Sequence, residues 1–408
     1  MKVGYFFIPL APYLLWLVWA ALRFPLPLSY NLRSLWQRKV GSLTTGLAIA
    51  VVVAIFVVVL SLSQGISKAF VSSGRADQLL VLRPNARTEL NSGVERERVR
   101  ILKTHPMVAQ DDQGPLISAE AFVVVMLDKA DGDGGTNVAV RGMEPAGVRM
   151  RPQVRMVEGR WFKPGLPEIV VPRRMQQRFA GLALGRTLAF AGQDWTVVGL
   201  TDAGGSAFES EIWADAEELM RAKKRSAFNS VIVRLQREGQ MADFKAMLEE
   251  DRRLKLEGVA EVDYFAQQTE AGKPIQVLGN LITVILTLGA VFAAMNTMYA
   301  SVAGRTSEIG TLRALGYRRR EILASFQWEA VLLCGSGGLL GACLALAFNG
   351  IQTGTTNFQT FSDVSFAFTI TPGLMLQGVA FSVLMGLLGG FLPAWRASRI
   401  PVTEAMKG

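Results

Sequence analysis

The side chains that most often perform chemistry in proteins are scarce in this sequence. It contains one histidine, His105, which precedes Pro106 at the end of a short predicted helix and is interpreted as a lone surface residue. The 408 residues contain no Cys-x-x-Cys, His-Glu-x-x-His or Gly-x-Ser-x-Gly motif. The phosphate loop Gly-x-x-x-x-Gly-Lys-[Ser/Thr] is also absent, because Pro274 follows the one Gly-Lys pair, Gly272-Lys273. We therefore expect a non-catalytic chain that binds no cofactor.

Two further features are candidates for a metal site or a cross-link. A calcium loop at DGDGG (131–135) would need more oxygen ligands and a bidentate Glu, so we interpret the segment as a turn and expect no metal. Cys334 and Cys343 lie nine residues apart in one apolar block. On a helix they are about 13 Å apart, whereas a disulfide needs Cα atoms within about 7 Å. We expect no disulfide between them.

The composition indicates a membrane protein. Half of the residues are hydrophobic and only 19% are charged, against about 25% in a typical soluble domain. The apolar residues are gathered, since no charged residue occurs between Lys39 and Lys68, Lys273 and Arg305, Glu329 and Asp363, or Asp363 and Arg396. A helix crosses a bilayer with about 20 apolar residues. The four intervals therefore predict transmembrane helices at 41–67, 273–303, 323–348 and 372–395.

An apolar block at 5–22, within an N-terminal segment 1–26, is harder to interpret because Pro9 and Pro12 interrupt it. It lacks the clean cleavage site of a signal peptide. An additional span, an interfacial helix and an over-extended start codon remain open as interpretations.

Orientation follows from the positive charges that flank the spans. Arg33, Arg38 and Lys39 precede the first span, five arginines lie in the loop 304–322, and basic residues occur in the tail 396–408. The loop 349–371 contains none. Because cytoplasmic flanks are enriched in Lys and Arg, we place those flanks in the cytoplasm and segment 68–272 outside. Part of the net charge of +9 is thus explained by the basic residues that flank the spans on the cytoplasmic side. We expect no nucleic-acid partner.

Segment 68–272 predicts an α/β domain. Runs rich in β-branched residues between turn residues predict strands at 78–83, 121–127, 137–143, 168–171, 195–200 and 230–235. Amphipathic spacing predicts helices in VERERVRILKTHP, which begins at Val94, and MADFKAMLEEDRRL, which begins at Met241. The predicted fold is an α-helical polytopic membrane protein with four core spans and a large inserted extracytoplasmic α/β domain.

The loop between the second and third spans contains a short helical pattern. Thr306 or Ser307 can cap it, Ile309, Leu312 and Leu315 follow on one face, and Gly316 can end it. The pattern alone leaves two interpretations open: an amphipathic helix that docks into a partner protein, or a plain positively charged loop.

Several motifs resemble those of the MacB/FtsX-like permeases of ABC transporters. RTSEIGTLRALG (305–316) resembles the family signature after its second span, and NLRSLWQRK (31–39) resembles the amphipathic cytoplasmic helix, here 27–40, before its first. Leu28, Leu32, Leu35 and Trp36 would share one face of that helix. Outer-domain and span landmarks are similar at 140–143, 158–162, 195–199, 326–331, 337–341 and 393–402. The N-terminal apolar block departs from the usual four-span plan.

The resemblance implies a permease subunit in the bacterial inner membrane that pairs with a second copy or paralogue and binds a separate ABC ATPase, which holds ATP and Mg. A periplasmic adaptor and membrane lipid are further implied partners. Export or extraction of a lipid, lipoprotein, peptide or other hydrophobic substrate would proceed by mechanotransmission. The alternative is an FtsX-like regulator of a wall hydrolase or sensor kinase. The residues expected to couple to the ATPase are Arg305, Glu308, Ile309, Gly310, Leu312, Arg313, Leu315 and Gly316.

Two features inside the spans are further candidates. Gly337-x-x-x-Gly341 and Gly386-x-x-x-Gly390 have the spacing that allows close helix packing, within the chain or in a dimer. Glu329 lies about two turns into the third span, and an acid at that depth is a functional candidate by default. It could also snorkel to the interface or pair with an arginine.

Overall fold

The computed structural model describes residues 11–23, 33, 35–130, 132, 134–270, 273–356 and 361–401. The chain forms two compact units. The membrane unit comprises Met1–Ser63, Ile275–Ile351 and Phe368–Gly408. The outer unit comprises Gln64–Pro274 and Gln352–Ala367.

The helices are α1 (Ala11–Arg23), α2 (Lys39–Val71), α3 (Arg96–Lys103), α4 (Pro145–Arg149), α5 (Arg173–Arg178), α6 (Ala216–Ala222), α7 (Met241–Glu250), α8 (Glu261–Glu270), α9 (Lys273–Ala303), α10 (Thr306–Ala314), α11 (Arg319–Ala345) and α12 (Pro372–Ser398). The strands are β1 (Gln78–Leu82), β2 (Val94–Glu95), β3 (Gln110–Asp111), β4 (Gly114–Pro115), β5 (Ile117–Asp128), β6 (Gly135–Met143), β7 (Arg155–Gly159), β8 (Glu168–Pro172), β9 (Thr187–Phe190), β10 (Gln193–Asp202), β11 (Glu211–Asp215), β12 (Ala227–Phe228), β13 (Ser230–Arg234), β14 (Glu257–Ala260), β15 (Gln352–Thr356) and β16 (Asp363–Ala367).

The membrane unit is built from α2, α9, α11 and α12, which are the helices long and apolar enough to cross a bilayer among the described residues. Their membrane-length segments have mean hydropathies of 2.9, 2.2, 2.1 and 1.8. Each of the four predicted spans overlaps one of these helices, and the third extends three residues beyond the end of α11 into a short 3-10 turn, Leu346–Phe348. Ile49, Val53, Ala294 and Met385 are buried together where the helices meet, although large apolar side chains on α9 remain exposed.

Helix α1 lies in the ambiguous N-terminal block and packs in the membrane unit. Leu17 and Ala20 are buried with Ala324 and Leu387, and Trp328 Nε1 donates a hydrogen bond of 3.0 Å to Leu17 O. Its 13 residues rise about 20 Å, less than the roughly 30 Å of a hydrocarbon core. The start of the block, residues 1–10, lies outside the described residues.

The outer unit is organised by a mixed ten-stranded sheet with the order β14-β1-β13-β5-β6-β11-β8-β10-β7, in which β9 pairs with β10. Strands β6 and β11 pair parallel, as do β8 and β10, and the other neighbours pair antiparallel. Val99, Met175, Leu219 and Phe244 bring helices α3, α5, α6 and α7 into the core of the sheet. The burial of these apolar side chains is the main favourable term in folding the unit.

The six predicted strands and both predicted helices of the outer unit are confirmed. Strand β11 was not predicted from the sequence, because its run EIWAD is short and begins and ends with an acid. Strands β7, β9 and β14 and helices α4, α5, α6 and α8 were not predicted either. His105 is not a plain surface residue, since it is half-buried with its ring edge-on to Phe244 at 5.3 Å.

The predicted short loop 349–371 contains a β-hairpin of β15 and β16, and this hairpin folds as part of the outer unit. Arg178 of α5 forms an ion pair with Asp363, and the amide of Ser365 donates a 2.7 Å hydrogen bond to Ser210 Oγ. Burial raises the pKa of the Asp363 carboxyl, and the Arg178 guanidinium opposes that rise.

Several expectations fall wholly or partly outside the described residues. The structure does not describe Asp131 and Asp133 of the DGDGG turn, Leu28 and Leu32 of the amphipathic segment 27–40, or the tail from residue 402. Where that segment is described, Trp36 is 73% exposed and Arg38 Nη1 donates to Ala300 O at 3.2 Å. Cys334 and Cys343 are free thiols, as expected.

Candidate functional site

The short helix α10 lies between two spans and contains most of the predicted coupling residues. It begins after Arg305, whose side chain does not cap it. Neither Thr306 nor Ser307 is the cap that the sequence allowed, because α10 already begins at Thr306, whose hydroxyl donates back to Ala303 O at 3.0 Å. Gly316 ends the segment with φ +99°, a conformation that favours glycine, which confirms the expected helix stop.

Arg305 anchors the start of α10 inside the membrane unit. Its Nη1 atom lies 2.9 Å from Glu329 Oε2 on α11, and both residues are buried. Ser301 Oγ at the end of α9 donates to the other oxygen of Glu329 at 3.0 Å. The guanidinium also lies 5.2 Å from the ring centre of Phe326. Glu329 therefore pairs with an arginine, one of the alternatives that the sequence left open, and the pair ties three helices together.

Arg305 also forms a second, more exposed ion pair at the start of α10. Arg305 Nε lies 2.9 Å from Glu308 Oε2, and the Glu308 side chain is 56% exposed. Removing one partner from a buried pair costs several kcal/mol because the other charge stays buried, whereas an exposed pair contributes little. The Arg305–Glu329 pair therefore contributes more than the Arg305–Glu308 pair to holding the start of α10 against α9 and α11, where the buried side chain of Ile309 also packs.

The predicted coupling residues divide between two faces of α10. Ile309 and Gly310 are buried, and Leu312 is half-buried. Leu315 is 72% exposed, which is unusual for a large apolar side chain on a polar loop. Arg313 is half-buried, and its Nη1 donates to Tyr317 O at 3.2 Å. The exposed face thus presents Leu315 next to charged side chains.

The four glycines singled out in the spans lie at contacts between helices of this chain. A Cβ atom at Gly337 would lie 2.7 Å from Gly46 O, and one at Gly341 would collide with Ala50 O, both on α2. A Cβ at Gly386 would lie 2.9 Å from Ala330 O on α11, and one at Gly390 would collide with the Ala330 side chain. A role for these glycines in a dimer stays a prediction.

The outer unit contains a buried charge cluster that the sequence analysis missed. Arg141 on β6 contacts Glu89 at 2.7 Å, Glu120 on β5 at 2.8 Å and Glu211 on β11 at 2.7 Å. The side chains of Arg141 and Glu89 are each 3% exposed, and that of Glu120 is fully buried. The sequence feature that could have predicted the cluster is a charged residue inside an apolar strand run, such as Arg141 within NVAVRGM (137–143).

A second arginine extends this cluster. Arg151 lies 2.6 Å from Glu120 Oε1, and its guanidinium lies 5.2 Å from the ring centre of Phe208. Burial alone would lower the pKa of Arg141, but the carboxylates of Glu211 and Glu89 raise it well above its usual value. Both arginines are therefore charged at every physiological pH, and the cluster locks β5, β6 and β11 together.

Glu261 at the start of α8 is the titratable member of this neighbourhood. Its Oε2 accepts a 2.9 Å hydrogen bond from the amide of Arg75, while its buried Oε1 has no partner among the described residues. Burial raises the pKa of Glu261 to about 7, and Arg151 partly opposes that rise.

We expect Glu261→Gln to stabilise the protein at pH 8 but not at pH 4. The folded state holds this proton up to about pH 7, whereas the unfolded chain releases it near pH 4.5, so the stability contribution is lost as the pH rises between these values. The gain at pH 8 should reach about 3 kcal/mol. Denaturant unfolding of the full chain at both pH values measures it, and an equal gain at both would contradict the assignment.

Comparison with known proteins assigns the chain to a family. The family model described as "MacB-like periplasmic core domain" matches residues 42–251, half of the chain, and "FtsX-like permease C-terminal" matches residues 280–402. The chain belongs to the MacB/FtsX-like permease family. It is thus a multi-pass permease of the ABC-transporter class in the bacterial inner membrane, with an extracytoplasmic domain inserted between its first and second spans.

Relatives of the permease carry the name "Macrolide export ATP-binding/permease protein MacB". The protein from Hahella chejuensis is 29% identical over 238 residues, covering 55% of this chain and 35% of the relative. That from Agrobacterium fabrum is 36% identical over 129 residues, covering 32% and 19%. The permease therefore spans about a third or less of the length of these relatives. The periplasmic region of MacB from Actinobacillus actinomycetemcomitans aligns with a TM-score of 0.36 at 11% identity, over 50% of this chain and 97% of that one.

Proposed function

We propose that this permease couples ATP hydrolysis on a separate ATPase subunit to movement of its outer unit by mechanotransmission. The observation that supports this most directly is the buried Arg305–Glu329 pair with Ser301. Because the pair joins α10 to α9 and α11, a push on α10 displaces those helices rather than bending a loose loop. Helix α10 would be the element that the ATPase moves.

The connections of the chain support the second half of the proposal. Helix α2 continues into the outer unit and the outer unit continues into α9, while α11 leads into the β15–β16 hairpin and from there into α12. The hairpin is fixed within the outer unit by the Arg178–Asp363 pair and the hydrogen bond to Ser210. All four spans can thus transmit a displacement to the outer unit through covalent links.

The proposed partners follow from the family and from the motifs of this chain. ATP and Mg would bind the ATPase subunit, since the 408 residues contain no phosphate loop. A second permease copy or a paralogue would complete the transporter, and a periplasmic adaptor is a further proposed partner. Relatives are named for macrolide export. For this permease we propose export or extraction of a hydrophobic substrate such as a lipid, lipoprotein or peptide.

Leu315→Asp is expected to weaken binding of the ATPase by more than tenfold. An exposed leucine that becomes buried in an interface contributes more than 1 kcal/mol, and an aspartate there adds an unpaired charge. Co-purification of the full chain with the proposed ATPase subunit, followed by a titration of the complex, measures the effect. Because Leu315 contacts water in the free chain, its replacement should leave the unfolding temperature unchanged.

Leu166→Asp is the matched control, since Leu166 is 43% exposed in the outer unit and should not affect the ATPase. Equal losses of ATPase binding in both variants, or binding unaffected by Leu315→Asp, would refute the assignment of α10 as the ATPase contact.

Cross-linking of the outer unit in cells distinguishes export from regulation, the two functions that could use this coupling. Capture of a hydrophobic substrate supports export, whereas capture of a wall hydrolase or sensor kinase supports the regulator.

A further inference from the structure

A groove lined by basic and aromatic side chains lies between the cytoplasmic ends of α9 and α12. Its volume is about 700 Å³, within the range of ligand-binding clefts. Tyr299 and Val302 line it from α9, and Trp395, Arg396 and Arg399 line it from the end of α12. We propose that this groove binds the headgroup of an anionic phospholipid. The proposal is independent of the ATPase and of the transported substrate.

The charge of the groove favours an anion. Arg396 lies 5.9 Å from the ring centre of Tyr299, and Arg399 lies 4.1 Å from that of Trp395. In the part of the chain that the structure describes, no carboxylate lies within 4 Å of either guanidinium. Two arginines that contact aromatic rings, with no acid within 4 Å of them among the residues described, form a site for phosphate oxygens.

The side chains next to the groove favour a lipid over a soluble anion. Leu388 and Leu392 on α12 are 52% and 49% exposed and share a helix face with Trp395 and Arg399. Phe292, 61% exposed, lies seven residues before Tyr299 on α9. Apolar side chains thus lead from the hydrocarbon region to aromatic and then basic residues, in the order of the acyl chains, interface and headgroup of a phospholipid.

The location of the groove also fits a phospholipid of the cytoplasmic leaflet. Helices α9 and α12 both run towards the cytoplasm and are in close contact about two turns before the groove, where a Cβ at Gly389 would lie 3.0 Å from Val291 O. Beyond this contact the two helix ends border the groove. Basic pockets between transmembrane helices on this side of a membrane are typical sites for anionic headgroups.

Native mass spectrometry of the full chain in detergent tests the proposal with phosphatidylglycerol and phosphatidylcholine of identical acyl chains. The unmodified protein should prefer phosphatidylglycerol by about tenfold, since each basic residue at an anionic headgroup contributes severalfold. Arg396→Gln with Arg399→Gln should remove this preference. Arg396→Lys with Arg399→Lys should retain most of it, because the charges remain.

Arg318→Gln with Arg320→Gln is the matched control, since both residues are exposed at the start of α11, away from the groove. It should keep the preference for phosphatidylglycerol. Should the double glutamine variant in the groove unfold, Arg399→Gln alone provides the test. Its guanidinium contacts the ring of Trp395, which is 41% exposed, and its loss should reduce the preference about threefold.

Three outcomes would overturn the proposal. The first is an equal loss of preference in the control and the groove variants. The second is displacement of the bound lipid by millimolar glycerol phosphate, which would identify the ligand as a soluble phosphate. The third is an unchanged lipid preference accompanied by loss of ATPase binding in the Arg396→Gln, Arg399→Gln variant, which would identify the groove as a protein contact.

Discussion

Replacing Arg141 with methionine is expected to lower the free energy of unfolding of the outer unit by about 5 kcal/mol, a large part of the stability of a typical domain. The substitution would leave Glu89, Glu120 and Glu211 around an apolar side chain, with Arg151 as the remaining cation of the cluster. Buried carboxylates without a partner must take up protons or be hydrated. Both alternatives favour unfolding at neutral pH.

Denaturant unfolding of the full chain, followed by the fluorescence of the buried Trp195 and Trp213, measures this loss. The defect should be smaller at pH 4 than at pH 7, because burial favours the neutral form of Glu89 once the guanidinium of Arg141 no longer lowers its pKa. Arg96→Met is the matched control, since Arg96 pairs with Glu217 at 2.6 Å but both side chains are nearly half exposed. It should cost less than about 1 kcal/mol. Equal losses in the two variants would refute the importance of burial.

Glu329→Gln is expected to have the second-largest effect. It should lower the free energy of unfolding by about 3 kcal/mol and uncouple the ATPase from the outer unit. Glutamine has nearly the same shape and can still accept the hydrogen bond from Ser301, but it leaves the buried Arg305 without its buried counter-charge. The start of α10 then loses its anchor to α11. We expect the ATPase subunit still to bind and hydrolyse ATP, while substrate no longer changes the hydrolysis rate.

Glu308→Gln controls for this experiment, because Glu308 pairs with the same arginine but is 56% exposed. Its effect on stability should stay below about 1 kcal/mol and coupling should persist. Arg305→Lys should recover part of the coupling lost in Arg305→Ala, since lysine keeps the charge. A Glu308→Gln variant as defective as Glu329→Gln would show that the exposed pair, and not the buried one, fixes α10.

The sequence was sufficient for features that depend on one segment at a time. The spans follow from charge-free intervals such as Lys39 to Lys68, because a helix in lipid must satisfy its backbone within itself. The stop of α10 follows from Gly316, because a positive φ at a helix end favours glycine. The strands of the outer unit follow from their β-branched runs.

The tertiary structure decided which distant residues meet. Neither the contact of Arg141 with three glutamates from separate segments nor the pairing of Arg305 with Glu329, 24 residues away, is encoded in a local period. The hairpin in the loop 349–371 joins the outer unit where Arg178 and Ser210 bind its second strand, and neither contact is visible in the sequence. A sequence pattern indicates whether one helix or strand lies in lipid, in water or in the protein core. The pairing of buried charges depends on how the elements pack, since a charge is stable inside a protein only where the fold brings it a partner.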